Sequence, residues 1–361
     1  MSEKKIKVLQ QVLDPSGSGG VSAEYRALQK SSLTEKYDFE PMILMNCHNG
    51  VNVKDIKFYY KKIRESNPDI VHIRGAAPDG LNAVIAAKLA KRGKVLVTVH
   101  GMYSDLVYIS SVKRWISKHV IERLIFGLAD GISCVCKAAN SRDRFDRYRS
   151  KMLPVVYNRL PDYSMYDKRR IRTQMRRELG LSEDAIVGIY VGRVTKEKGL
   201  AYLKDALVQL DQKWPPNFVM LIVGEGQYLL QLREACACLN NKSSVKCLGN
   251  QTDVHRFLFA SDFFLLPSLH ENHSISLLEA TAAELPIIAT DVGGNAEILK
   301  KNGILISPRC SADIVAAVQK MVLEETAMEE CKCRHQENEF LEFRSANVDR
   351  QLREVYEEVL R

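Results

Sequence analysis

The sequence predicts an α/β protein of two doubly wound, Rossmann-like domains that face each other across a cleft. The first observation is length, because 361 residues exceed what one hydrophobic core usually serves. The second is that short apolar runs alternate with amphipathic segments in both halves, the pattern of parallel strands joined by helices. The third is that glycine-rich and charged segments directly follow several predicted strands, where open parallel sheets bind their ligands.

In the first half, short apolar segments stopped by polar or turn-forming residues predict the strands. We assign strands to residues 7–13, 39–44, 70–73, 94–98, 131–135 and 152–156. Helices are predicted for residues 23–31, 55–66, 82–91, 112–128 and 137–144.

The second half repeats this alternation. Strands are predicted for residues 185–191, 217–223, 245–248, 263–266, 287–289 and 303–306. A polar, proline-containing segment near residues 158–167 marks the boundary between domains. We therefore expect an N-terminal domain over 1–160, a C-terminal domain over 161–340, and a last helix, 341–361, packing back on the first domain.

Composition describes a globular protein without a membrane-spanning segment. Hydrophobic residues make up 46% and charged residues 27% of the chain, and no apolar run is long enough for a spanning helix or a signal-peptide core. Its nine cysteines include three Cys-x-Cys pairs, a spacing unlike that of common zinc sites, so reduced thiols are expected. We predict a cytoplasmic location.

Charge is unevenly divided along the chain. Residues 1–160 contain 27 Lys/Arg against 15 Asp/Glu, whereas the remainder carries a net charge of −4. This asymmetry suggests that the two halves meet different partners.

The most informative segment, residues 261–279, contains two glutamates eight residues apart, Glu271 and Glu279. An apolar run ended by Pro-Ser predicts a buried strand, and a helical pattern begins after Ser274, a favourable N-cap. Glu271 then lies in the loop and Glu279 in the helix, with the unpaired N–H groups of the helix start between them. Such an arrangement suits a sugar nucleotide, which carries hydroxyl groups on both sides of its phosphates. The alternative interpretation is that Glu271 and Glu279 are two unrelated surface glutamates, and it would be favoured if the pair stood alone in the sequence.

Three further loops follow predicted strands. Residues 192–199 carry Arg193 and Lys198, whose fork-shaped guanidinium and compact ammonium suit a diphosphate, although a solvated basic loop is the alternative. Residues 16–20, Ser-Gly-Ser-Gly-Gly, could cradle a phosphate or form a plain turn. His100 ends a strand and precedes a glycine, so it could contact a sugar or serve as a structural histidine.

Together these residues resemble the retaining, nucleotide-sugar-dependent glycosyltransferases of family 4, which have the GT-B architecture. The segments VGRVTKEKG, VGEGQ, SDFFLLPSLHENHSISLLEA and ATDVGGNAEI match the family in order and spacing, and so do GSGG and TVHG in the first half. The resemblance covers nearly the whole chain.

The resemblance implies specific roles for the four charged residues. Glu271 would contact hydroxyl groups of the donor sugar, and Glu279 would bind the hydroxyl groups of the ribose. Arg193 and Lys198 would hold the diphosphate.

The resemblance also assigns roles in the first domain. Backbone N–H groups of Gly19 and Gly20 would contact the diphosphate, and His100 would lie by the donor sugar near the anomeric carbon. At the helix start of the second domain, the diphosphate would be bound by Ser274, Ile275 and Ser276. We therefore predict His100, Glu271, Arg193 and Lys198 as catalytic residues.

One departure from the family and one absence bear on the mechanism. The family often has an aromatic residue or proline followed by glycine between its two glutamates, whereas this chain has His273-Ser274. No Asp-x-Asp occurs, so we predict no metal and no other cofactor, with Arg193, Lys198 and helix N–H groups neutralising the leaving group. The resemblance implies front-face transfer with retention.

The acceptor should meet the first domain. Residues 106–128 interleave apolar side chains with Lys113, Arg114, Lys118 and Arg123, a pattern that suits an anionic membrane surface. A core-facing helix with a solvated basic face fits equally well. If the membrane interpretation holds, a lipid-linked saccharide is the natural acceptor and the protein works at the inner face of the cell membrane. Nucleic acid is a poor partner because aromatic residues are not interleaved with the basic stripe.

The sequence therefore predicts a glycosyltransferase that moves a sugar from a nucleoside diphosphate to a saccharide or lipid-linked saccharide, in surface polysaccharide or glycolipid synthesis. The predicted donor is a UDP-sugar. Alternatives of the same architecture are a sugar-nucleotide epimerase and a non-catalytic GT-B partner subunit. A nicotinamide-dependent dehydrogenase is disfavoured, since G-x-G-x-x-G followed by an acidic residue is absent.

Overall fold

The structure of the protein is a computed structural model that describes residues 4–12, 20–44, 50–300, 303–334 and 340–361. The chain divides into two units. Unit 1 comprises Met1–Arg159 and Glu342–Arg361, and unit 2 comprises Leu160–Leu341. The C-terminal segment therefore belongs to unit 1 although it follows unit 2 in the chain.

Unit 1 is built on a parallel sheet in the order β2-β1-β3-β4-β5. Its strands are β1 (Ile6–Val12), β2 (Tyr37–Ile43), β3 (Ile70–Ala76), β4 (Lys94–Met102) and β5 (Gly131–Cys134). Its helices are α1 (Gly20–Leu28), α2 (Val53–Ser66), α3 (Pro78–Ala90), α4 (Ser111–Ile116), α5 (Glu122–Leu128), α6 (Lys137–Asn140) and, after unit 2, the last helix (Ser345–Leu360).

Unit 2 is built on a parallel sheet in the order β11-β10-β9-β6-β7-β8. Its strands are β6 (Ile186–Val191), β7 (Phe218–Val223), β8 (Val245–Gly249), β9 (Phe263–Leu266), β10 (Ile287–Thr290) and β11 (Gly303–Ile306). Its helices are α7 (Lys168–Glu178), α8 (Leu200–Leu210), α9 (Leu229–Ala237), α10 (Val254–Ala260), α11 (Ile275–Ala282), α12 (Asn295–Leu299), α13 (Ser311–Leu323) and α14 (Glu325–Arg334).

The central strands of unit 2, β7, β6 and β9, are apolar runs, as expected for parallel strands that are buried on both faces. All four side chains of β9 are buried, for example. In unit 2 the strand order reverses between β6 and β9, since the chain first builds outward through β7 and β8 and then returns to the other side of β6. Ligands of open α/β sheets bind at the carboxyl ends of strands that flank such a reversal.

Three predicted elements differ in the structure. The helix predicted over 137–144 is limited to α6, Lys137–Asn140, and a 3-10 helix over Asp143–Lys151 follows it. Residues 152–156 form no strand; a single bridge joins Ile132 and Met152. The Leu153 N–H donates to the Ile132 carbonyl at 2.8 Å and the Val156 N–H to the Cys134 carbonyl at 3.0 Å, so the segment lies beside β5 but its bonds lack the two-residue spacing of a regular strand. Residues 112–128, predicted as one helix, are divided between α4 and α5 by a π-helical turn over Ser117–Ile121.

The last helix, α15 (Ser345–Leu360), buries one face in unit 1. Its buried side chains are Val348, Asp349, Leu352, Val355, Tyr356 and Val359. Arg159 anchors the helix: its guanidinium pairs with Glu24 at 3.0 Å and also with Asp349, and all three side chains are less than 10% exposed. Arg159 thereby joins α1, which carries Glu24, to α15, which carries Asp349.

Candidate active site

The loops after β6 and β9 begin at the reversal point of the unit 2 sheet. They are joined directly, because the Leu269 N–H donates to the Glu197 carbonyl at 2.9 Å. The functional side chains predicted from the sequence, Arg193 and Lys198 on one loop and Glu271 on the other, therefore start from the place where this fold binds ligands.

Lys198 and Glu271 are in contact. Lys198 Nζ lies 2.6 Å from Glu271 Oε1, and the Ser268 hydroxyl donates to the same oxygen at 2.7 Å. Glu271 is only 8% exposed and Ser268 is fully buried, so both bonds form away from bulk water. A charge-assisted hydrogen bond in such surroundings holds the carboxylate in one orientation.

Two glycines permit the close packing of these loops. Gly199 has φ +73°, and a Cβ there would lie 1.7 Å from the Pro267 carbonyl oxygen. Gly293 has φ +55°, and its Cβ would lie 1.8 Å from the Glu271 carbonyl oxygen. Only glycine fits such a left-handed backbone at this distance. The backbone of Glu271 is therefore set by the 293–294 turn as well as by its own loop.

The start of α11 has the predicted geometry. Ser274 is the N-cap and its hydroxyl accepts from the Leu277 N–H at 3.4 Å. Ile275 and Ser276 lie in the first turn, where N–H groups have no intrahelical acceptor. The positive end of the helix dipole adds to their preference for an anion.

Glu279 lies in the second turn of α11 and is partly buried. Burial raises the pKa of its carboxyl to about 7. Tyr163 lies within electrostatic range of Glu279. Burial is the main cause that raises the pKa of the Tyr163 phenol, and the negative charge of Glu279 raises it further. Among the described residues Glu279 forms no ion pair, in contrast to Glu271. The two glutamates predicted as a pair are thus chemically different.

Arg193 is exposed, and the structure does not bring its guanidinium to Glu271 or Glu279. Its backbone is fixed, because the buried Tyr190 hydroxyl donates to the Arg193 carbonyl at 2.8 Å. The guanidinium forms no ion pair within the described part of the chain. Arg193 therefore has a fixed backbone and an exposed guanidinium that a ligand can reach.

His273 occupies the position where the family often has a different residue. Its side chain is 5% exposed, and burial lowers its pKa to about 3. It is therefore neutral near pH 7 and adds no positive charge beside the helix start.

In unit 1 the predicted residues are only partly described. Gly19 lies outside the described residues, and Gly20 is the first residue of α1. His100 lies near the end of β4 and is partly exposed; its Nε2 is 3.4 Å from an NH1 group of Arg74.

Sequence reasoning missed the contributions of Ser268 and Tyr163 to this site. Ser268 looked like the end of a strand, and its hydroxyl contact with Glu271 depends on a loop conformation that spacing does not show. Gly293 gave a usable signal, because paired glycines after a strand often mark a close backbone approach.

Comparison with known proteins assigns both halves of the chain. Residues 171–337 match the family described as Glycosyl transferases group 1, and residues 30–159 match Glycosyltransferase Family 4. Within the described ranges, no helix combines the length and apolar character needed to cross a membrane.

Individual relatives agree with these matches. The N-acetyl-alpha-D-glucosaminyl L-malate synthase of Bacillus anthracis is 26% identical over 303 residues, 82% of this chain and 77% of the relative. The UDP-Gal:alpha-D-GlcNAc-diphosphoundecaprenol alpha-1,3-galactosyltransferase of Escherichia coli is 28% identical over 276 residues, 72% and 68% of the two chains.

A solved structure shows the same fold. HepE from Anabaena, crystallised in complex with UDP-glucose, matches with a TM-score of 0.79 at 17% identity, over 98% of this chain and all of its own. Since each half matches a glycosyltransferase domain and the whole has this fold, the chain belongs to the family 4 glycosyltransferases of GT-B architecture.

Proposed function

We propose that this glycosyltransferase is a retaining enzyme that moves a sugar from a UDP-sugar to a saccharide or lipid-linked saccharide acceptor, in surface polysaccharide or glycolipid synthesis. The observation that carries the proposal is the 2.6 Å contact between Lys198 and Glu271. A cation suited to phosphate and a carboxylate suited to hydroxyl groups lie side by side at the carboxyl ends of β6 and β9.

Lys198 can bind Glu271 and a phosphate oxygen at the same time. An ammonium has three N–H donors, so Lys198 can keep its bond to Glu271 while it donates to a phosphate oxygen. Glu271 then accepts from hydroxyl groups of the donor sugar, next to the phosphate that leaves. Glu279, farther along α11, binds the ribose hydroxyl groups in this assignment.

Charge develops on the diphosphate as its bond to the anomeric carbon breaks. Arg193, Lys198 and the N–H groups of the α11 start would stabilise that charge where it forms. We therefore propose transfer without a metal ion or other cofactor. The backbone N–H groups of Gly19 and Gly20 and the side chain of His100 are assigned to the diphosphate and donor sugar by family resemblance.

Retention is proposed on the same resemblance. The leaving phosphate would take the proton of the attacking acceptor hydroxyl on the face from which it departs. Proton NMR of the freshly formed product would show the anomeric configuration of the donor, and the opposite anomer would contradict the proposal.

The donor class is suggested by relatives. The name of the E. coli relative specifies UDP-Gal and a diphosphoundecaprenol-linked sugar, and the HepE crystal contains UDP-glucose. These support UDP as the carrier and a lipid-linked saccharide as an acceptor class for this chain.

Calorimetric titration tests the donor site. UDP, GDP and ADP would each be titrated with and without magnesium into wild type, Lys198→Ala and the control Lys196→Ala, an exposed lysine of the same loop. We expect UDP to bind without magnesium and Lys198→Ala to weaken it by roughly 1.5–3 kcal/mol, the loss of a charge-assisted hydrogen bond. Equal affinity in all three proteins would refute the site.

Two other outcomes would identify the alternatives. Failure to bind any nucleotide would favour a non-catalytic partner subunit. Conversion of a UDP-sugar to its epimer in the absence of any acceptor would favour an epimerase.

A surface on unit 1 supports peripheral membrane contact. We define the 112–124 stripe as the exposed side chains Val112, Trp115, Ile116, Val120 and Leu124, which are 41–68% exposed. The core-facing interpretation of this segment therefore fails for these residues, although Ile125 and Phe126 are buried.

The π-helical turn Ser117–Ile121 helps to form the stripe. A turn with i→i+5 bonds rotates the following residues backward relative to an α-helix. Val120 and Leu124 are thereby brought back toward the side of Val112 and Ile116. A groove of about 120 Å³, whose lining includes Lys118, Arg123, Arg144 and Arg147, lies beside it.

Apolar and aromatic side chains flanked by cations suit a membrane with anionic lipids. Sedimentation with phosphatidylglycerol vesicles at low salt should recover the wild-type protein, whereas vesicles of phosphatidylcholine should not. Trp115→Ser with Val112→Ser should reduce recovery several-fold without changing UDP binding. No binding to anionic vesicles would contradict membrane contact and leave the donor site untouched.

A further inference from the structure

The carboxyl-terminal halves of β1, β3 and β4 in unit 1 carry a buried polar network. Gln10, His72 and Arg74 are each at least 90% buried, and Tyr356 of α15 is fully buried beside them. The Gln10 Nε2 group donates to the Tyr356 hydroxyl at 3.1 Å. The last helix of the chain therefore takes part in this network.

Arg74 connects the network to His100. One terminal nitrogen donates to Gln10 Oε1 at 3.1 Å, and the other lies 3.4 Å from His100 Nε2. Its Nε atom is buried without a hydrogen-bond partner. Tyr356, Gln10, Arg74 and His100 thus form a continuous chain of contacts from α15 to a partly exposed imidazole.

The chemistry of the guanidinium fixes the direction of these bonds. A guanidinium has five N–H donors and no acceptor. Gln10 must therefore present its oxygen to Arg74 and its NH2 group to Tyr356. By the same reasoning, His100 must present a lone pair at Nε2. A neutral imidazole with a lone pair at Nε2 carries its proton on Nδ1.

Arg74 occupies a costly position for a cation. The negative charge of Glu24 raises the pKa of Arg74, but Glu24 is already paired with Arg159 at 3.0 Å. Burial is the largest influence on the pKa of Arg74 and lowers it. Within the described part of the chain Arg74 forms no ion pair, and a buried charge bonded only to neutral groups destabilises a fold. The contact between Arg74 and His100 offers a reason for keeping a cation at this costly position.

We propose that Arg74 is a positioning residue that fixes His100 as the Nδ1–H tautomer, and that α15 holds Arg74 in place through Tyr356 and Gln10. His100 then acts as a hydrogen-bond donor from Nδ1. The proposal rests on the proposed function only for the group that receives this bond, an oxygen of the donor sugar.

Nitrogen-15 NMR of histidine-labelled protein tests the tautomer without substrate. Two-bond correlations between ring protons and ring nitrogens distinguish Nδ1–H from Nε2–H, and His100→Gln identifies the His100 signals. We expect the Nδ1–H pattern for His100 in wild type. The Nε2–H pattern would overturn the proposal, and this result needs no other variant to fold.

Variants then test whether Arg74 is the residue that fixes the tautomer of His100. Arg74→Met removes the donor, so His100 should shift toward the Nε2–H tautomer, and kcat should fall roughly tenfold or more with the KM for donor little changed. Arg74→Lys, which keeps a donor, should restore part of both. Tyr356→Phe removes the hydroxyl that Gln10 donates to, so Arg74 should be held less firmly and His100 should shift part of the way toward the Nε2–H tautomer. An unchanged tautomer in Arg74→Met would overturn the proposal.

The outcomes separate the two proposals. A wild type with His100 in the Nδ1–H form but without transferase activity would refute the proposed function and leave the tautomer assignment standing. An active transferase with His100 in the Nε2–H form would refute the tautomer assignment alone.

Discussion

The sheet edges of the two units are assembled from the sequence in different ways. In unit 2, the side chains that meet come from two short segments, 192–199 and 267–279. In unit 1, they come from four distant positions, of which the first and the last are 346 apart in the sequence: Gln10, Arg74, His100 and Tyr356. Local turn chemistry is enough to build the first arrangement, whereas the second exists only when the whole unit has folded.

This difference predicts which part of the molecule is sensitive to which change. Unit 1 should be sensitive to the loss of buried charges that join distant segments. Unit 2 should be sensitive to added volume in its loops and to loss of single functional groups.

The largest effect is expected at Arg159. Arg159→Met would leave the buried carboxylates of Glu24 and Asp349 without their cation, at a cost of about 3–5 kcal/mol. Amide hydrogen exchange within α15 measures the free energy of opening for unit 1 in the full-length protein.

The matched control removes all three charges. Arg159→Met combined with Glu24→Gln and Asp349→Asn should recover most of the lost protection, because no unpaired charge remains buried. A single Arg159→Met variant with wild-type exchange would show that α15 does not depend on this cluster.

The next effect is expected in the loops of unit 2. Gly293→Ala would place a Cβ 1.8 Å from the Glu271 carbonyl oxygen at φ +55°. Gly180→Ala is the control, since Gly180 has φ +63° but nothing within 4 Å of its Cβ position. The control should lose about 1–2 kcal/mol for the left-handed backbone. Gly293→Ala should lose about 3 kcal/mol or more, because overpacking is added. Equal losses in urea unfolding would contradict the close approach.

The unit 2 site could largely be predicted from the sequence. Glu271, Lys198 and the Ser274 cap lie on elements whose ends are marked by glycine, proline and serine, so their placement followed from local rules. The buried Ser268 contact and the different environments of Glu271 and Glu279 did not follow, since both depend on packing that no spacing records.

The unit 1 network could not be predicted in the same way. His72 and Arg74 lie on β3, and nothing local in the sequence connects them to Tyr356 at the other end of the chain. The strand predicted over 152–156 was wrong for a related reason: its apolar run was sufficient for burial, but the bonds of Leu153 and Val156 to β5 are three residues apart and form no regular ladder.

A smaller and more specific effect is expected at Glu271. Glu271→Gln keeps the size of the side chain but removes the charge that Lys198 and Ser268 hold at Oε1. We expect kcat to fall by roughly 10²-fold and UDP affinity to change about twofold or less, because the lost bonds act on the sugar in the transition state. Steady-state kinetics and calorimetry measure the two quantities separately. A large loss of UDP affinity with normal kcat would assign Glu271 to the nucleotide instead.

The smallest effect distinguishes the second glutamate from the first. Because burial raises the pKa of Glu279 to about 7, from 4.5, the folded protein binds this proton more tightly than the unfolded chain does. Its contribution to stability is complete below pH 4.5 and is lost as the pH rises through 7. Relative to Glu279→Gln, wild type should therefore lose unfolding free energy between pH 4.5 and 8, and because Glu279 is partly exposed to solvent the loss should be about 1–2 kcal/mol, less than the full pKa difference would give. Glu234→Gln, an exposed glutamate on α9, is the control and should show no such difference. Parallel pH profiles for wild type and Glu279→Gln would mean that Glu279 is solvated like Glu234, and that only Glu271 is held by its surroundings.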